Sequence, residues 1–491
     1  METPSSTKQP FTVKVDSDHK ATEFRPFSVA PPHMLSFHLA WFSLFSCCFS
    51  TFAVASLLPV IRDDLNLTDA DISHAGTVTF LGSIFSRLAM GPACDLFGPR
   101  LTSATVSLIT ASILFMAPFI SSPQSFTLFR FLVGLSLANF VANQFWMSSM
   151  FSGRVVGLAN AFSGGWANTG SGVTQLVLPM VYTLIVNYGF LPSTAWRITL
   201  FFPATLQVLT ALLVLICGQD TPDKKYYRPV YGPRKERKTG QLLEVLEGLK
   251  NYRGWILGLI YGCCFGVELT IDNIIAQYFY DRFGLDIQVA GAVAATFGLA
   301  NLVSRPVGGW FSDWMGERFG MRGRLWGLWG AQMVAGLLCV LLGRVNSLLG
   351  SLLVMFGFSF FVQAAAGLTF GVVPFVSKSF GSRFAKLFLL SFVDVIYVYD
   401  GKLRREAVER SLGVISGMTG SGGAVGAVIA QLLLFSGSKF SRQAGISLMG
   451  LMMIVCTQAI TLIYFSQWGG MFCGPSSDLT SYDGADYSLL A

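Results

Sequence analysis

Apolar stretches long enough to cross a bilayer recur along this chain, separated by short polar breaks. A membrane span needs about 20 apolar residues. Twelve segments qualify, near 35–60, 73–93, 101–121, 125–150, 155–188, 195–217, 255–280, 288–312, 325–345, 348–376, 411–437 and 442–466. They fall into two groups of six around a polar stretch at 218–254. The pattern predicts an all-α polytopic membrane protein. It has an N-terminal segment at 1–34, a six-helix half at 35–217, a linker at 218–254, a second six-helix half at 255–467 and a short tail at 468–491. One apolar run does not fit. Phe384–Tyr399 is only 16 residues long and contains Lys386 and Asp394. As a thirteenth span it would put the last helices on the wrong side, so we read 378–409 as an insertion in the loop between helices 10 and 11.

Composition supports the bilayer as solvent. Hydrophobic residues make up 52% and charged residues 12%, against about 25% charged in soluble domains. The mean hydropathy is +0.56. The net charge of +7 sits in a few loops and speaks for topology, not for nucleic-acid binding. The linker carries Lys224, Lys225, Arg228, Arg234, Lys235, Arg237 and Lys238, which marks it as cytoplasmic. Arg100, Arg154, Arg318, Arg322 and Arg324 fall in even-numbered loops on that same side. The first loop, with Asp63, Asp64, Asp69 and Asp71, falls on the other, so both termini are expected to be cytoplasmic. The first 32 residues hold no apolar signal-peptide core. Nine cysteines form neither a C-x-x-C pair nor a Cys/His metal spacing, and no cofactor motif is present.

The two halves repeat each other. Ser86-Arg87, Gly91, Asp95, Gly98 and Arg100 recur as Ser304-Arg305, Gly309, Asp313, Gly316 and Arg318, at a constant offset of 218 (305 − 87). Gly157, Gly164, Gly170 and Gln175 recur as Gly413, Gly420, Gly426 and Gln431 at an offset of 256 (413 − 157). The 38-residue difference (256 − 218) calls for extra sequence in the second half, and 378–409 supplies it.

Several motifs carry a family resemblance. Gly91-Pro-Ala-Cys-Asp95-Leu-Phe-Gly98-Pro-Arg100 resembles the G-x-x-x-D-x-x-G-x-R loop motif of the major facilitator superfamily, and Gly309 to Arg318 echoes it. Ser163-Gly164-Gly165-Trp166-Ala167-Asn168-Thr169-Gly170 and the residues on to Gln175 look like the first signature of the nitrate/nitrite porter family. Gly417-Met-Thr-Gly420-Ser-Gly422-Gly423-Ala-Val-Gly426 looks like the second. Val267-Glu268-Leu269, Asp272-Asn273, Phe319-Gly320-Met321-Arg322-Gly323-Arg324 and Gln467-Trp468-Gly469-Gly470 are similar to segments of plant high-affinity nitrate transporters. The insertion departs from the family pattern. Its composition and placement also match translated intron sequence, a reading that the spliced transcript tests.

The resemblance implies a non-enzymatic secondary transporter with the major facilitator superfamily fold, twelve helices in two pseudo-symmetric halves, that moves nitrate or nitrite by alternating access and takes protons as its coupling partner. It also implies a plasma or vacuolar membrane and, for many members, a small single-span accessory membrane protein. The family's nitrate-binding arginines carry over onto Arg87 and Arg305, the alternative being that each pairs with a carboxylate as structural glue. A guanidinium is flat, permanently charged and presents paired donors that suit a flat monoanion. An arginine at bilayer depth costs about 2.5–3.5 kcal/mol on insertion scales, which a bound anion offsets. Gly164, Gly170, Gly420, Gly426 and Asn168 are further substrate-site candidates, although close helix packing is the simpler reading for most signature glycines. Tyr261 is either a wall of the site or packing. Moving an anion inward against a negative potential costs about 2.3 kcal/mol per 100 mV, so coupling to that potential needs at least two protons per nitrate. Glu268 and Asp272, four residues apart on one helical face, are the candidate proton sites, or else partners for a basic side chain. Arg130, in Arg130-Phe-Leu-Val-Gly134, is either linked to coupling or paired with an acid. Asp95, Arg100, Asp313 and Arg318 are expected to latch one conformation across the two halves. The alternatives are transport of another small anion on the same fold, or a non-transporting nitrate sensor or defective product because of the insertion.

Overall fold

The computed structural model describes residues 12–223, 245–246, 248–285, 287–376, 412–435 and 440–475. The insertion at 378–409, most of the basic linker and the end of the tail lie outside the described residues. Twelve long helical segments are present among the described residues. They are α1 (His33–Ser56), α2 (Asp69–Phe97), α3 (Pro99–Phe115), α4 (Pro123–Met150), α5 (Val156–Asn187) and α6 (Pro192–Cys217). The second set begins with α7, built from Tyr252–Tyr261, a π-turn at Gly262–Gly266 and Val267–Phe283. Next comes α8, Ile287–Leu299 running on through 301–319. The chain reverses at Gly320 (φ 64°) into α9, residues 321–342. It finishes with α10 (Leu348–Val376), α11 (Leu412–Phe435) and α12 (Arg442–Leu462).

Local chemistry fixes where these helices start and stop. Thr68 and Asp71 form a reciprocal capping box at the head of α2, and Ser122 with Ser125 does the same for α4. Gly98 adopts φ 83° between α2 and α3, a backbone conformation that L side chains rarely adopt. Pro99 then opens α3 at a position that needs no amide donor. The outer faces carry exposed apolar side chains such as Leu209, Ile216, Leu451 and Val455, which suits hydrocarbon around the molecule. The helices keep their polar groups inward, and Ser43, Asn139, Gln207 and Gln332 are all buried.

The halves meet along crossed helix pairs. α2 of the first half packs on α11 of the second, and α8 of the second packs on α5 of the first. Glycines set the closeness. A Cβ on Gly91 would lie 2.4 Å from the Gly413 carbonyl, and one on Gly309 would lie 2.4 Å from the Gly157 carbonyl. These two contacts are repeat-equivalent at the offsets of 218 and 256 read from the sequence. Just past α12, Tyr464–Phe465 and Gly469–Gly470 pair as a small antiparallel hairpin. Trp468 packs on Phe375 of α10 (centroids 5.7 Å), so the start of the tail is docked on the second half.

Candidate functional site

Arg87 lies in the middle of α2 and is 1% exposed. Its Nε donates to the Leu137 carbonyl at 3.1 Å and its Nη1 to the Gly420 carbonyl at 2.6 Å. Leu137 belongs to a 3₁₀ turn, Leu135–Ala138, that interrupts α4. Such an interruption turns a backbone carbonyl out of the helical ladder and toward a side chain. Among the described residues no carboxylate pairs with Arg87.

Arg305 occupies the equivalent place in α8, 2% exposed. Its Nε donates to Asn301 Oδ1 at 2.6 Å and its Nη2 to Glu268 Oε2 at 2.8 Å. Asn301 Nδ2 donates to Glu268 Oε1 at 2.6 Å, closing a buried triangle. A Cβ on Gly164 would lie 3.7 Å from Arg305 Nη1. Each arginine therefore meets the signature helix of the opposite half, Arg87 at Gly420 and Arg305 at Gly164. Those glycines are themselves repeat-equivalent.

The two guanidiniums converge on one ring. Phe265 lies 5.3 Å from the Arg87 guanidinium carbon and 5.0 Å from that of Arg305. Phe140 also faces Arg87, at 5.3 Å. Tyr261 stacks on Phe265 (5.1 Å) and Phe140 (5.7 Å), with Phe370 edge-on at 5.1 Å. The π-turn of α7 spans this wall, and an extra residue per turn re-aims the side chains around it. The Tyr261 hydroxyl is buried beside Arg305. Arg87, Arg305 and Glu268 together carry one net positive charge against these aromatic faces, with Asp272 one turn beyond Glu268.

The remaining candidates separate by place. Asn168 Nδ2 donates to the Gly164 carbonyl at 2.7 Å, on the wall near Arg305. Gly170 and Gly426 sit at helix contacts instead. Their missing side chains face the Phe45 carbonyl of α1 at 2.7 Å and the Gly262 carbonyl of α7 at 2.4 Å. Asp272 is half-buried one turn beyond Glu268, with no ion pair among the described residues. Arg130 donates to the Thr51 carbonyl at 3.4 Å and meets no carboxylate among the described residues.

Both motif aspartates reach backbone amides of the opposite half. Asp95 Oδ1 accepts from the Gly413 amide of α11 at 3.2 Å. Asp313 accepts from the Gly157 and Leu158 amides of α5 at 3.2 and 2.6 Å. Each aspartate thus crosses to the first turn of a helix in the other half, where amides lack intrahelical partners and the helix dipole favours an anion. Arg100 stays local, its amide donating to Asp220 Oδ1 at 2.9 Å. Burial pushes the Asp220 carboxyl above its usual range, against the pull of Arg100. Arg318 is exposed and stacks on Trp314 at 4.5 Å. The arginine that does grip Asp313, at 2.7 Å, is Arg324 from α9. Gly316 makes room for it, since a Cβ there would lie 2.5 Å from Arg324 Nε. The reversal that Gly98 makes in the first half has moved to Gly320 in the second.

Comparison with known proteins places this architecture. Residues 40–392 match the Major Facilitator Superfamily. High affinity nitrate transporter 2.7 of Arabidopsis thaliana is 55% identical, over 96% of this chain and 92% of its own. The chain belongs to the high-affinity nitrate transporter family of the major facilitator superfamily. High affinity nitrate transporter 2.5 of the same plant is 53% identical to this family member over 99% of the chain and 90% of its own. The fold is also that of the human organic anion transporter MFSD10, at a TM-score of 0.56 and 13% identity, covering 87% of this chain and 99% of that one. The chain is accordingly a multi-pass integral membrane protein.

Proposed function

We propose that this chain carries nitrate across a membrane by alternating access of its two halves, with Arg87 and Arg305 holding the anion between them. The observation that carries this reading is the pair of repeat-equivalent guanidiniums packed on the single Phe265 ring, of which only Arg305 is paired with a carboxylate among the described residues. In transporters with parallel repeats the substrate site lies near the midplane at the repeat interface. The nitrate transport named for the close relatives supports the same substrate. Gly164, Gly420 and Asn168 shape the walls, and Tyr261 contributes an aromatic face and a hydroxyl.

Glu268 is the proton site. Ionised, it holds Arg305; protonated, it gives Arg305 up to the substrate. Asp272 is the second acid within one turn, and two protons per nitrate let the membrane potential drive uptake. The end carrying the α2–α3 and α8–α9 reversals faces the cytoplasm, and both termini lie on that side. The membrane is the plasma or vacuolar membrane, and a small single-span protein is a candidate partner.

Nitrate uptake in a transport-deficient host tests the reading. Uptake that saturates with nitrate and falls with Arg87→Lys and Arg305→Lys is expected. Uptake of other anions but not nitrate would refute it. Deleting 378–409 in the same host separates an inactive insertion from an inactive site.

A further inference from the structure

We propose that Asn301 is a positioning residue that directs a proton on Glu268 to the oxygen holding Arg305, so that protonation releases the arginine. The inference rests on the proton role given to Glu268 above. Arginine Nε can only donate, so the Asn301 oxygen must face it, and the Asn301 amino group must face Glu268. That group also donates to the Gly298 carbonyl at 3.2 Å. The amide is thereby held in one orientation by Arg305 on one side and by Glu268 and Gly298 on the other. All three side chains of the triangle are buried.

Both Glu268 oxygens therefore face donors, Oε1 the locked Asn301 and Oε2 the mobile arginine. A carboxylic acid hydrogen needs an acceptor, and neither neighbour offers one. A proton on Oε1 would confront a donor that its own backbone bond holds still. A proton on Oε2 confronts a guanidinium that has a second place to go, toward the anion. Titratable and charged groups around Glu268 are Arg305 from α8, Tyr261, Cys264 and Asp272 from α7, and Cys48 from α1. Of these, Arg305 alone forms an ion pair with it among the described residues.

The other half lacks the device. At the offset of 218, Ser83 stands where α8 has Asn301 (301 − 218), and its buried hydroxyl makes no hydrogen bond among the described residues. Ser83 is one turn before Arg87, as Asn301 is one turn before Arg305. The repeat has thus kept both arginines and given only one of them a proton-sensitive tether.

The test is nitrate uptake by the full chain across pH, with proton entry per nitrate measured alongside and membrane abundance checked. Asn301→Leu keeps the volume and removes the locked donor. It is expected to shift the pH midpoint of uptake to higher pH by about one unit, because an ionised carboxyl loses a hydrogen bond, and to lower the proton-to-nitrate ratio. Asn301→Ser copies the other half and should move both readouts the same way; it decides the matter if the leucine variant does not reach the membrane. An unchanged midpoint with an unchanged ratio, at normal abundance, overturns the role of Asn301 alone. Uptake by the parent chain that ignores pH overturns the proton role of Glu268, and this inference with it.

Discussion

Replacing Glu268 with Gln asks how strongly the wild-type carboxylate competes with substrate for Arg305. The pair is 2% exposed on both sides and 2.8 Å apart. With charge centres about 4 Å apart and an effective dielectric of about 20, the attraction is about 4 kcal/mol. A glutamine still accepts one hydrogen bond from Arg305, worth about 1 kcal/mol net. Part of the difference is lost because the unpaired guanidinium stays buried until an anion arrives. About 2 kcal/mol then remains for substrate, roughly a 30-fold gain in nitrate affinity. We expect Glu268→Gln to bind nitrate tighter, to turn over more slowly and to lose the pH dependence of uptake. Binding to purified protein in detergent measures the first, and uptake in cells or vesicles the others. Unchanged affinity together with a wild-type pH profile would refute the competition and remove Glu268 from the proton path.

Arg87→Lys keeps the charge but loses the planar fork that spreads donors to the Leu137 and Gly420 carbonyls and to an anion, so nitrate KM should rise at least about tenfold. Gly170→Ala and Gly426→Ala push a methyl group into opposing backbone and should cost about 1–3 kcal/mol of stability, read as a lower melting temperature. Gly164→Ala, whose nearest contact is the Gln144 amide at 3.3 Å, should fold normally and weaken nitrate uptake instead. Asp313→Asn removes a charge shared by two helix amides and Arg324. It should open the α2–α3 end by about 1–2 kcal/mol, seen as faster labelling of a cysteine placed on the adjoining stretch of α5.

Much of this site was legible in the chain. The spans followed from apolar length, and the arginines stood out because the repeat puts one in each half. The apolar wall did not, because Phe140, Phe265 and Phe370 look like any aromatic in a chain with 43 phenylalanines. The Leu137 carbonyl has no side-chain signature at all; its use depends on a 3₁₀ turn that the apolar run hides. Asn301 did carry a signal, an amide exactly one helical turn before a membrane arginine, on the same face. Arg324 escaped because the repeat pointed to Arg318, and only the shifted reversal at Gly320 brings Arg324 onto Asp313. The docked hairpin around Trp468 likewise depends on tertiary contact, since its segment reads as tail.

The crossed pairing of α2 with α11 and of α5 with α8 bears on how such a chain can be recombined. Backbone touches backbone at Gly91 with Gly413 and at Gly157 with Gly309, and each pair joins residues more than 150 positions apart. A chimera that takes its first half from one relative and its second from another cuts through both seams. One that exchanges α2 together with α11 cuts through neither. Keeping these two backbone contacts matched means exchanging helices in pairs drawn from different halves, not one half of the gene.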